Sequence, residues 1–535
     1  MTESALYEKP MPMDNMAPAA RGPQTISPGK AMMLPGVFIT GLAALSRHTG
    51  LGGVAGRSML VVAGLLLLAT IALFVSASRS GRTFVVEVML FKHHWVQALT
   101  QVVIYGFWAW YVPDIRMYWP LLLAQLLFAY TFHILLTWSR RDHYGLGFGP
   151  VPITGSFNLF ILFRPDWFYW QFGIVAAAFL GKEFIRWEKD GRSAHIFNPS
   201  SFGLVVFSAI LILTGTTDLT FGVEIASWLT FSPNVYLVLF VVSIPVQLYF
   251  GVATMTVTAF VTTYVVGLAY FVLTGTYFFF DSYIPVAVFV GMLLLITDPA
   301  TAPRSESGRL VFGVMYGLGL MIAFEVLRMA DLPAFYDKLL PVPILNLFVR
   351  KIDRAAEAGA LKFADFSGFG PSLSGGQRRA VTVGLWAVAF ISIAAAGGVG
   401  DKHRGQWVPF WQETCEAGSD RACDHLLVLE QNLCLNGSGW ACNELGILLT
   451  ALEDDPGEIR GALNQGCAAG FPEACANAER AATGGGGLVS AAPPAGELPD
   501  LLRGNKGPVT ERDAAVNYAL ACERGFRGTC EGSGT

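Results

Sequence analysis

Apolar segments long enough to cross a bilayer as helices dominate the first 400 residues. A helical span needs about 20 apolar residues. Only 14% of the residues are charged, whereas soluble globular proteins have about 25%. The sequence therefore predicts an all-α polytopic membrane protein, and it argues against a soluble multidomain protein and against a nucleic-acid binder. The clearest candidate spans are 58–77, 96–112, 118–138, 168–184, 202–213, 235–250, 253–274, 283–296, 310–326 and 381–396.

Two weaker apolar runs, 151–163 and 339–349, decide the orientation. If both cross the membrane, nearly all basic loop residues fall on one side. Because basic loops stay in the cytoplasm, residues 401–535 are predicted to lie on the opposite side of a bacterial inner (plasma) membrane, in the periplasm. The predicted parts are a disordered or interfacial tail (1–57), an extra transmembrane helix (58–79), a membrane domain (80–355), a cytoplasmic linker (356–380), a last transmembrane helix (381–400) and an extracytoplasmic domain (401–535).

The membrane domain contains an internal repeat. Residues 96–213 and 235–349 each hold five candidate spans, and an odd number of crossings inverts the second set. The third span of each set ends in a proline-containing turn, at 159–166 and 293–299. Inverted repeats with broken helices place a substrate, ion or cofactor site near the repeat interface. The sequence thus predicts about ten spans in two inverted five-span repeats, with extra flanking spans. The alternative is that the prolines merely end helices.

Three stretches carry a resemblance to a known family. They are Gly181-Lys182 with the run HIFNPSS at 195–201, the run ITDPATAP at 296–303 followed by Gly308 and Phe312-Gly313, and the run LNLFVRKIDR at 345–354. In this order and spacing, residues 80–355 resemble a divergent branch of the NqrB/RnfD family. Members of that family are membrane subunits of the Na⁺-pumping quinone reductase and of the Rnf electron-transport complex.

The resemblance implies a flavin-carrying subunit that passes electrons within a larger membrane redox complex, coupled to Na⁺ or H⁺. The family attaches FMN covalently to the threonine of a Ser-Gly-Ala-Thr motif, which this chain lacks. The expected cofactor is therefore non-covalent FMN or riboflavin, and a scaffold without cofactor is the alternative. Thr216, Thr217 and Thr220 are only positional candidates for attachment, because their loop also reads as an ordinary polar loop.

Candidate cofactor-binding residues follow from the chemistry of a helix start. Asn198, Pro199, Ser200 and Ser201 open a span, and the free N–H groups of a helix N-terminus bind anions such as phosphate. Simple capping by Asn198 or Ser200 is the alternative. Lys182 is a candidate partner for a flavin phosphate, although a lysine at a span end also snorkels to the interface.

Candidate ion-coupling residues lie at the inner end of a predicted span. Asp298 lies between Thr297 and Thr301, and a carboxylate within a membrane is costly enough to suggest an ion or proton ligand. The alternative is an exposed aspartate that starts the turn before Pro299. Glu183 is a further candidate because it adjoins a lysine at a span end.

All eight cysteines lie beyond residue 414, in an acidic segment: residues 401–535 carry 10 Lys+Arg and 19 Asp+Glu, a net charge of −9. Each pair has seven intervening residues, and a glycine follows each first cysteine by three positions. This spacing predicts disulfides that join successive helices across a glycine turn, which need an oxidising compartment. The predicted disulfides join Cys415 to Cys423, Cys434 to Cys442, Cys467 to Cys475 and Cys522 to Cys530.

A metal site is the alternative for these cysteines, and the sequence disfavours it. Zinc sites usually have two to four residues between ligands, so the gap of seven is too long. His425 is the one histidine among the cysteines. The sequence therefore predicts no metal in this segment.

The cysteine pattern resembles Sel1-like repeats, which form an α/α solenoid of the tetratricopeptide type. Solenoids usually bind proteins, so the expected partners are an extracytoplasmic protein, the other subunits of a redox complex, and membrane lipid. Three functions stay open from the sequence. The first is an electron-transfer subunit of an oxidoreductase complex, the second is a transporter on the same scaffold without a redox cofactor, and the third is a non-catalytic anchor or assembly protein that acts through its tail.

Overall fold

The chain is mostly helical, which confirms the predicted fold class at that level. The computed structural model describes residues 25–47, 52–89, 92–189, 192–280, 282–362, 374–400, 403–483, 487–503 and 513–530. The helices up to residue 231 are α1 Pro28–Ala31, α2 Met33–Leu45, α3 Gly52–Arg79, α4 Lys92–Tyr111, α5 Pro113–Met117, α6 Trp119–Arg140, α7 Pro150–Asn158, α8 Tyr169–Phe184, α9 Pro199–Thr214 and α10 Gly222–Phe231.

The later helices fall into a group that ends at residue 395 and a C-terminal group that begins at residue 408. The first group is α11 Val235–Phe250, α12 Ala253–Thr274, α13 Val286–Leu294, α14 Glu306–Met329, α15 Pro341–Glu357 and α16 Gly375–Ala395. The second group is α17 Val408–Glu416, α18 Asp420–Leu435, α19 Gly439–Ala451, α20 Pro456–Ala468, α21 Pro472–Thr483, α22 Leu498–Arg503 and α23 Ala514–Glu523.

Short strands that the sequence does not predict connect some helices. β1 (Thr25–Ile26) pairs antiparallel with β2 (Phe84–Met89), which pairs in parallel with β3 (His143–Gly147). β4 (Arg186–Lys189) and β5 (Arg192–His195) form an antiparallel hairpin in which Arg186 lies opposite His195. This hairpin returns the chain to the end of α8 before α9 begins.

Six helices in the described part of the chain are long and apolar enough to cross a membrane, and a seventh is counted if α10 and α11, which meet at a 91° bend, form one span. The N-terminal one, Pro28–Leu45, differs from the predicted disordered or interfacial tail. Pro35 does not interrupt it, because it lies in the first turn of α2, where a backbone N–H has no intrahelical partner. The six are Pro28–Leu45, Gly53–Arg79, Trp119–Arg140, Ala253–Thr274, Glu306–Met329 and Gly375–Ala395.

Two apolar helices are too short to cross a membrane alone. α7 and α13 have nine residues each. At 1.5 Å per residue each is about 14 Å long, roughly half of a bilayer core of about 30 Å. They are the third of the five longer helices in 92–214 and in 235–357. They lie where the sequence predicts the two broken spans, and the inverted symmetry itself stays a prediction.

Helices α12 and α14 approach each other closely at Gly313. A Cβ atom built there would lie 2.0 Å from Thr258 Oγ1 and 2.4 Å from the Met255 carbonyl oxygen. The second contact is with backbone, which cannot rotate away as a flexible side chain does. Gly313 therefore sets the distance between these two helices.

We expect Gly313→Ala to lower the stability of the protein by about 1–3 kcal/mol, because an extra methyl forces the two backbones apart. Thermal unfolding of the detergent-solubilised protein measures this change. Gly64→Ala in α3 is the matched control, since no atom lies within 4 Å of its Cβ position. The control should be neutral or slightly stabilising. Equal unfolding temperatures for the two variants would contradict the close approach.

The chain divides into two compact units. The first contains Met1–Trp228, Leu239–Ala259 and Val290–Gly384, and the second contains Leu229–Val238, Phe260–Phe289 and Leu385–Thr535. Within the second unit, the C-terminal helices share a core with the segment after α12. The His425 ring stacks on Phe280 at a centroid distance of 4.5 Å, and His403 lies 4.4 Å from Tyr277. The segment after α12 thus packs with the C-terminal helices, and the predicted boundary at residue 401 stays a prediction.

The eight cysteines of the C-terminal part form four disulfides, each between residues 8 positions apart in the sequence. All four pairings are those that the sequence predicts, so this prediction is confirmed. The bonds join Cys415 to Cys423, Cys434 to Cys442, Cys467 to Cys475, and Cys522 to Cys530.

The glycine that follows each first cysteine makes the predicted turn. Each has a positive φ, which a glycine adopts without strain. These glycines are Gly418 (92°), Gly437 (95°), Gly470 (91°) and Gly525 (89°). Each of the helices α17 to α20 packs against the next one. The sequence pattern therefore identified both the turns and the bonds that close them.

A pair of carboxyl groups is buried in this C-terminal part. Glu430 in α18 is 1% exposed and Glu444 in α19 is 6% exposed. Gln412 donates to Glu430 Oε1 at 3.1 Å, while Glu430 Oε2 has no hydrogen-bond partner among the described residues. Burial, reinforced by Glu444, raises the pKa of Glu430 well above its ordinary value. Burial also raises the pKa of Glu444.

We expect the C-terminal part to lose stability as the pH rises above 6.5. A carboxyl with a raised pKa stabilises the fold fully below about pH 4.3, and that contribution is lost as the pH rises through the folded-state pKa. The loss is at most about 1.4 kcal/mol per pH unit for each carboxyl. Burial lowers the pKa of His403 to about 4 and that of His425 to about 3, so both oppose this trend only below about pH 6.5.

Hydrogen exchange of peptides from α18 and α19 between pH 6.5 and 8, corrected for intrinsic rates, measures this dependence. Glu430→Gln should flatten it, because the amide is neutral throughout. Glu479→Gln replaces an exposed carboxyl and should leave it unchanged. A pH dependence that is the same in both variants would show that Glu430 is not its source.

Candidate functional site

The chain beyond half-helix α13 folds back on itself around Asp298. Asp298 Oδ1 accepts a hydrogen bond from the Ala300 N–H at 3.1 Å, and Thr301 Oγ1 donates to Oδ2 at 3.3 Å. Thr297 is buried, and its hydroxyl donates to the Leu293 carbonyl at 2.9 Å, which satisfies an acceptor at the end of α13. Two of the four ion-coupling candidates, Asp298 and Thr301, thus contact each other, and Thr297 lies beside them, just beyond α13.

Charged and titratable groups surround this turn. His195 Nε2 lies 3.1 Å from Asp298 Oδ2, and only 17% and 19% of the two side chains are exposed. Lys182 near the end of α8 lies within electrostatic range of Asp298. Glu183, the fourth ion-coupling candidate, forms an ion pair with Arg141 instead. Asp298 therefore has a titratable partner, His195, and a nearby cation, Lys182.

The start of α9 is capped by its own asparagine. Asn198 Oδ1 accepts from the N–H groups of Ser200 at 3.0 Å and Ser201 at 3.4 Å, and from the Ser200 hydroxyl at 2.7 Å. Pro199 occupies the first helical position, where its missing N–H removes no bond. These contacts satisfy donors that an anion would otherwise take. A cofactor at this position would have to be held by other groups of the same cluster.

Asn198 also joins three distant parts of the chain. Its Nδ2 donates to the Leu295 carbonyl at 2.9 Å, just beyond α13, and its backbone N–H donates to Asn346 Oδ1 in α15 at 3.1 Å. Asn346 Nδ2 lies 3.5 Å from the Thr301 carbonyl that it donates to. Asn198, Thr301 and Asn346 are each at most 5% exposed. These contacts form one buried polar network, which we call the Asn198 network.

Ser201 is the exception within this network. Its side chain is fully buried, and its hydroxyl has no hydrogen-bond partner among the described residues. A buried hydroxyl without a partner costs about 1–3 kcal/mol. Such an atom beside a polar network is a position where a bound polar group would be stabilised.

The candidate threonines lie in a different loop. Backbone hydrogen bonds join this loop to the chain after α7: Arg164 N–H donates to the Leu219 carbonyl at 3.0 Å and Phe221 N–H to the Leu162 carbonyl at 2.8 Å. The Thr220 hydroxyl is buried and donates to the Thr217 carbonyl at 3.1 Å. Thr216 shares a hydrogen bond with the Thr214 hydroxyl at 2.7 Å. The loop thus belongs to the first broken span and the Asn198 network to the second.

Amide side chains form a second polar network beside α7. Gln125 Nε2 donates to Asn158 Oδ1 at 2.9 Å, and Gln171 Nε2 donates to Gln125 Oε1 at 3.1 Å. Gln171 also donates to the Ile161 carbonyl at 3.2 Å and accepts from the Phe163 N–H at 2.9 Å. It therefore satisfies backbone groups that the broken helix leaves unpaired. Sequence reasoning missed this role, although amides within apolar segments were a visible signal.

Sequence reasoning also missed Asn346 and a buried ion pair. Asn346 belongs to the third stretch that carries the family resemblance, so that stretch was the available signal. Asp337 and Lys338 are 2% and 3% exposed, and their charged atoms lie 3.2 Å apart. The Tyr316 hydroxyl donates to the Lys338 carbonyl at 3.0 Å. Two adjacent charges before an apolar segment were the signal here.

The geometry supports two kinds of chemistry. The Asp298–His195 pair can hold a proton at His195 Nε2 or Asp298 Oδ2, and the Asn198 network can bind a neutral polar group. Among the described residues, no three His, Cys, Asp or Glu side chains are arranged to hold a metal ion. No family model, curated protein or solved structure matches this chain.

Proposed function

We propose that the chain is a membrane subunit of a redox complex that binds FMN or riboflavin non-covalently and passes electrons between its partner subunits. The observation that carries the proposal is the meeting of three sequence stretches that are far apart in the chain. Those stretches, 181–201, 296–313 and 345–354, carry the resemblance to the NqrB/RnfD family. Asn198, Thr301 and Asn346 belong one to each stretch and contact each other through the Asn198 network.

A fourth contact supports the same proposal. The backbone N–H of Arg304 donates to Asp353 Oδ1 at 2.9 Å, which ties the second stretch to the third again. Contacts between two short motifs arise by chance in any compact protein. A hydrogen-bonded meeting of all three motifs at buried polar atoms supports the proposal that they form one site.

The residues at this site fit a flavin. The buried Ser201 hydroxyl has no protein partner among the described residues and is suited to a polar edge of the ring or to a ribityl hydroxyl. Lys182 is the cation for a phosphate if the cofactor is FMN. A bound flavin supplies one- and two-electron transfer. Around it, this chain's residues exclude water and fix the orientation of the cofactor.

Coupling to an ion is the second part of the proposal. Asp298 and His195 share a hydrogen bond. When the charge of the bound cofactor changes, this pair would take up a proton from the cytoplasmic side or release one to it. Asp298 is the carboxylate that would take up the coupling ion, Na⁺ or H⁺, with His195 as its hydrogen-bond partner. The proposed location is the bacterial inner membrane, with residues 401–535 as an extracytoplasmic Sel1-like solenoid. The four disulfides support this location, since they persist only in an oxidising compartment.

An absorption spectrum of the protein, purified in mild detergent with riboflavin and FMN present, tests the proposal. We expect flavin bands near one flavin per chain, released by denaturation because no covalent bond holds it. Ser201→Ala should weaken flavin binding at least fivefold, because a donor is removed from the site. Ser208→Ala is the matched control in the same helix, since that buried hydroxyl donates to the Leu204 carbonyl at 2.7 Å.

A folded, flavin-free preparation that does not take up added flavin would contradict the redox proposal. It would favour a transporter on the same scaffold, which the missing Ser-Gly-Ala-Thr motif already makes the second candidate. In that case Asp298→Asn should abolish ion-dependent transport. If neither flavin nor transport is found, the remaining function is an anchor that works through the C-terminal helices.

A further inference from the structure

A cleft in the C-terminal part brings together the first and the last helix of that part. It has a volume of about 400 Å³, within the usual range of ligand sites. Its walls come from α17 with the preceding residues and from α23 with the turn that follows it. Gly525 makes this turn with a φ of +89°, and the Cys522–Cys530 disulfide closes it. A covalent link therefore fixes the turn that forms one wall of the cleft.

The balance of charge reverses in this cleft. Residues 401–535 contain 10 basic and 19 acidic residues. Three arginines but only two glutamates line the cleft. The arginines are Arg404, Arg524 and Arg527, and the glutamates are Glu413 and Glu523. The lining of the cleft is therefore less acidic than the domain as a whole.

The three guanidinium groups are not equivalent. Arg524 lies over the Trp407 ring at 5.2 Å and donates to the Leu502 carbonyl, so its position is fixed. Arg527 is exposed and forms an ion pair with Glu416. Arg404 is exposed and lies over the Phe410 ring at 5.5 Å. The exposed Arg404 guanidinium presents donors in the fork geometry that binds carboxylates, whereas Arg527 would have to exchange Glu416 for a new carboxylate.

We propose that this cleft binds a short acidic segment of a partner polypeptide. The arginines recognise its carboxylates, and the Gln412 side chain and the ring edges of Trp407 and Phe410 contact its backbone and apolar atoms. An open cleft with separated cations suits an extended peptide with several carboxylates better than a single small dicarboxylate. This inference does not depend on the flavin proposal, because it uses residues of the second unit alone.

Binding of a blocked tetraglutamate peptide, labelled with an uncharged fluorophore, to the full-length protein in detergent tests the inference by fluorescence anisotropy. We expect saturable binding that weakens as NaCl is raised from about 50 to about 500 mM, since salt screens exposed charges. Arg404→Gln should weaken binding about tenfold, and Arg404→Gln with Arg527→Gln should weaken it further. Arg404→Lys should restore part of the affinity, since it keeps the charge and loses the fork.

Arg460→Gln is the matched control, because Arg460 is an exposed arginine of the same domain outside the cleft. Its affinity should equal that of the unchanged protein. Three results would each overturn the inference. Arg460→Gln could weaken binding as much as Arg404→Gln does, or a tetralysine peptide could bind as tightly as tetraglutamate. Free glutarate could also compete at the same concentrations as the peptide. Unchanged unfolding temperatures of the variants show that any loss of affinity is not a loss of folding.

Discussion

Removing the Cys434–Cys442 disulfide by replacing both residues with serine is expected to destabilise the C-terminal part by about 4.5–8.5 kcal/mol, the largest effect among the four pairs. All four disulfides close loops with a sequence separation of 8, so the entropy of loop closure contributes about 2.5 kcal/mol to each. The difference comes from burial. Cys434 and Cys442 are 2% and 0% exposed in a core with Leu445, Leu449 and Ala462. Two serine hydroxyls there would lack partners, at about 1–3 kcal/mol each.

The matched control is the double variant Cys522→Ser with Cys530→Ser. This pair closes a loop of equal length, but Cys530 is exposed and Cys522 is half-buried. It should lose only the share due to loop closure. Hydrogen exchange of peptides from α18 to α20 in the full-length protein measures the first effect, and peptides from α23 measure the second. Equal losses in the two variants would show that burial does not set the value of these bonds.

Replacing Asn198 by alanine is the second change with a large expected effect, a loss of about 1.5–5 kcal/mol. The substitution removes the cap of α9, which contributes about 0.5–2 kcal/mol. It also leaves the buried carbonyl of Leu295 without its donor, at about 1–3 kcal/mol. The unfolding temperature in detergent should fall, and flavin retention should fall with it.

Two variants separate the parts of this effect. Asn198→Ser keeps a capping oxygen but cannot reach Leu295, so it should recover only the capping share. Ser305→Ala removes a pure cap, since Ser305 Oγ accepts from the Gly308 N–H at 3.0 Å at the start of α14. It should cost about 1 kcal/mol. If Asn198→Ala is no more harmful than Ser305→Ala, the link to Leu295 contributes nothing.

Features that depend on neighbouring residues could be read from the sequence. The cysteine pairs are the clearest case, because a glycine with positive φ and two cysteines eight positions apart define one turn without reference to the rest of the chain. Cys415 with Cys423 and Cys467 with Cys475 show this as plainly as the other two pairs. The two short helices were also predictable, because each is followed closely by a proline. The Asp298 turn follows from the same local rule: its carboxylate accepts from the N–H two residues on.

Features that depend on distant contacts could not be read in this way. No local property of Asn346 indicates that its amide meets Asn198, 148 residues earlier. The strands β2 and β3 pair in parallel across a helical crossover, and each is too short to give an alternating pattern that stands out. Gln171 looks like a weak point in an apolar segment, and only the broken helix beside it explains why a polar side chain is retained there.

The covalent links of the C-terminal helices have a consequence for how this protein can change over generations. Every disulfide joins residues only 8 positions apart, and none of the four ties one hairpin to another. A duplication or deletion that takes in one whole turn therefore adds or removes both thiols together and leaves no cysteine to mispair. The tail can be lengthened or shortened in units of one turn with its helix, while the membrane helices before it stay as they are.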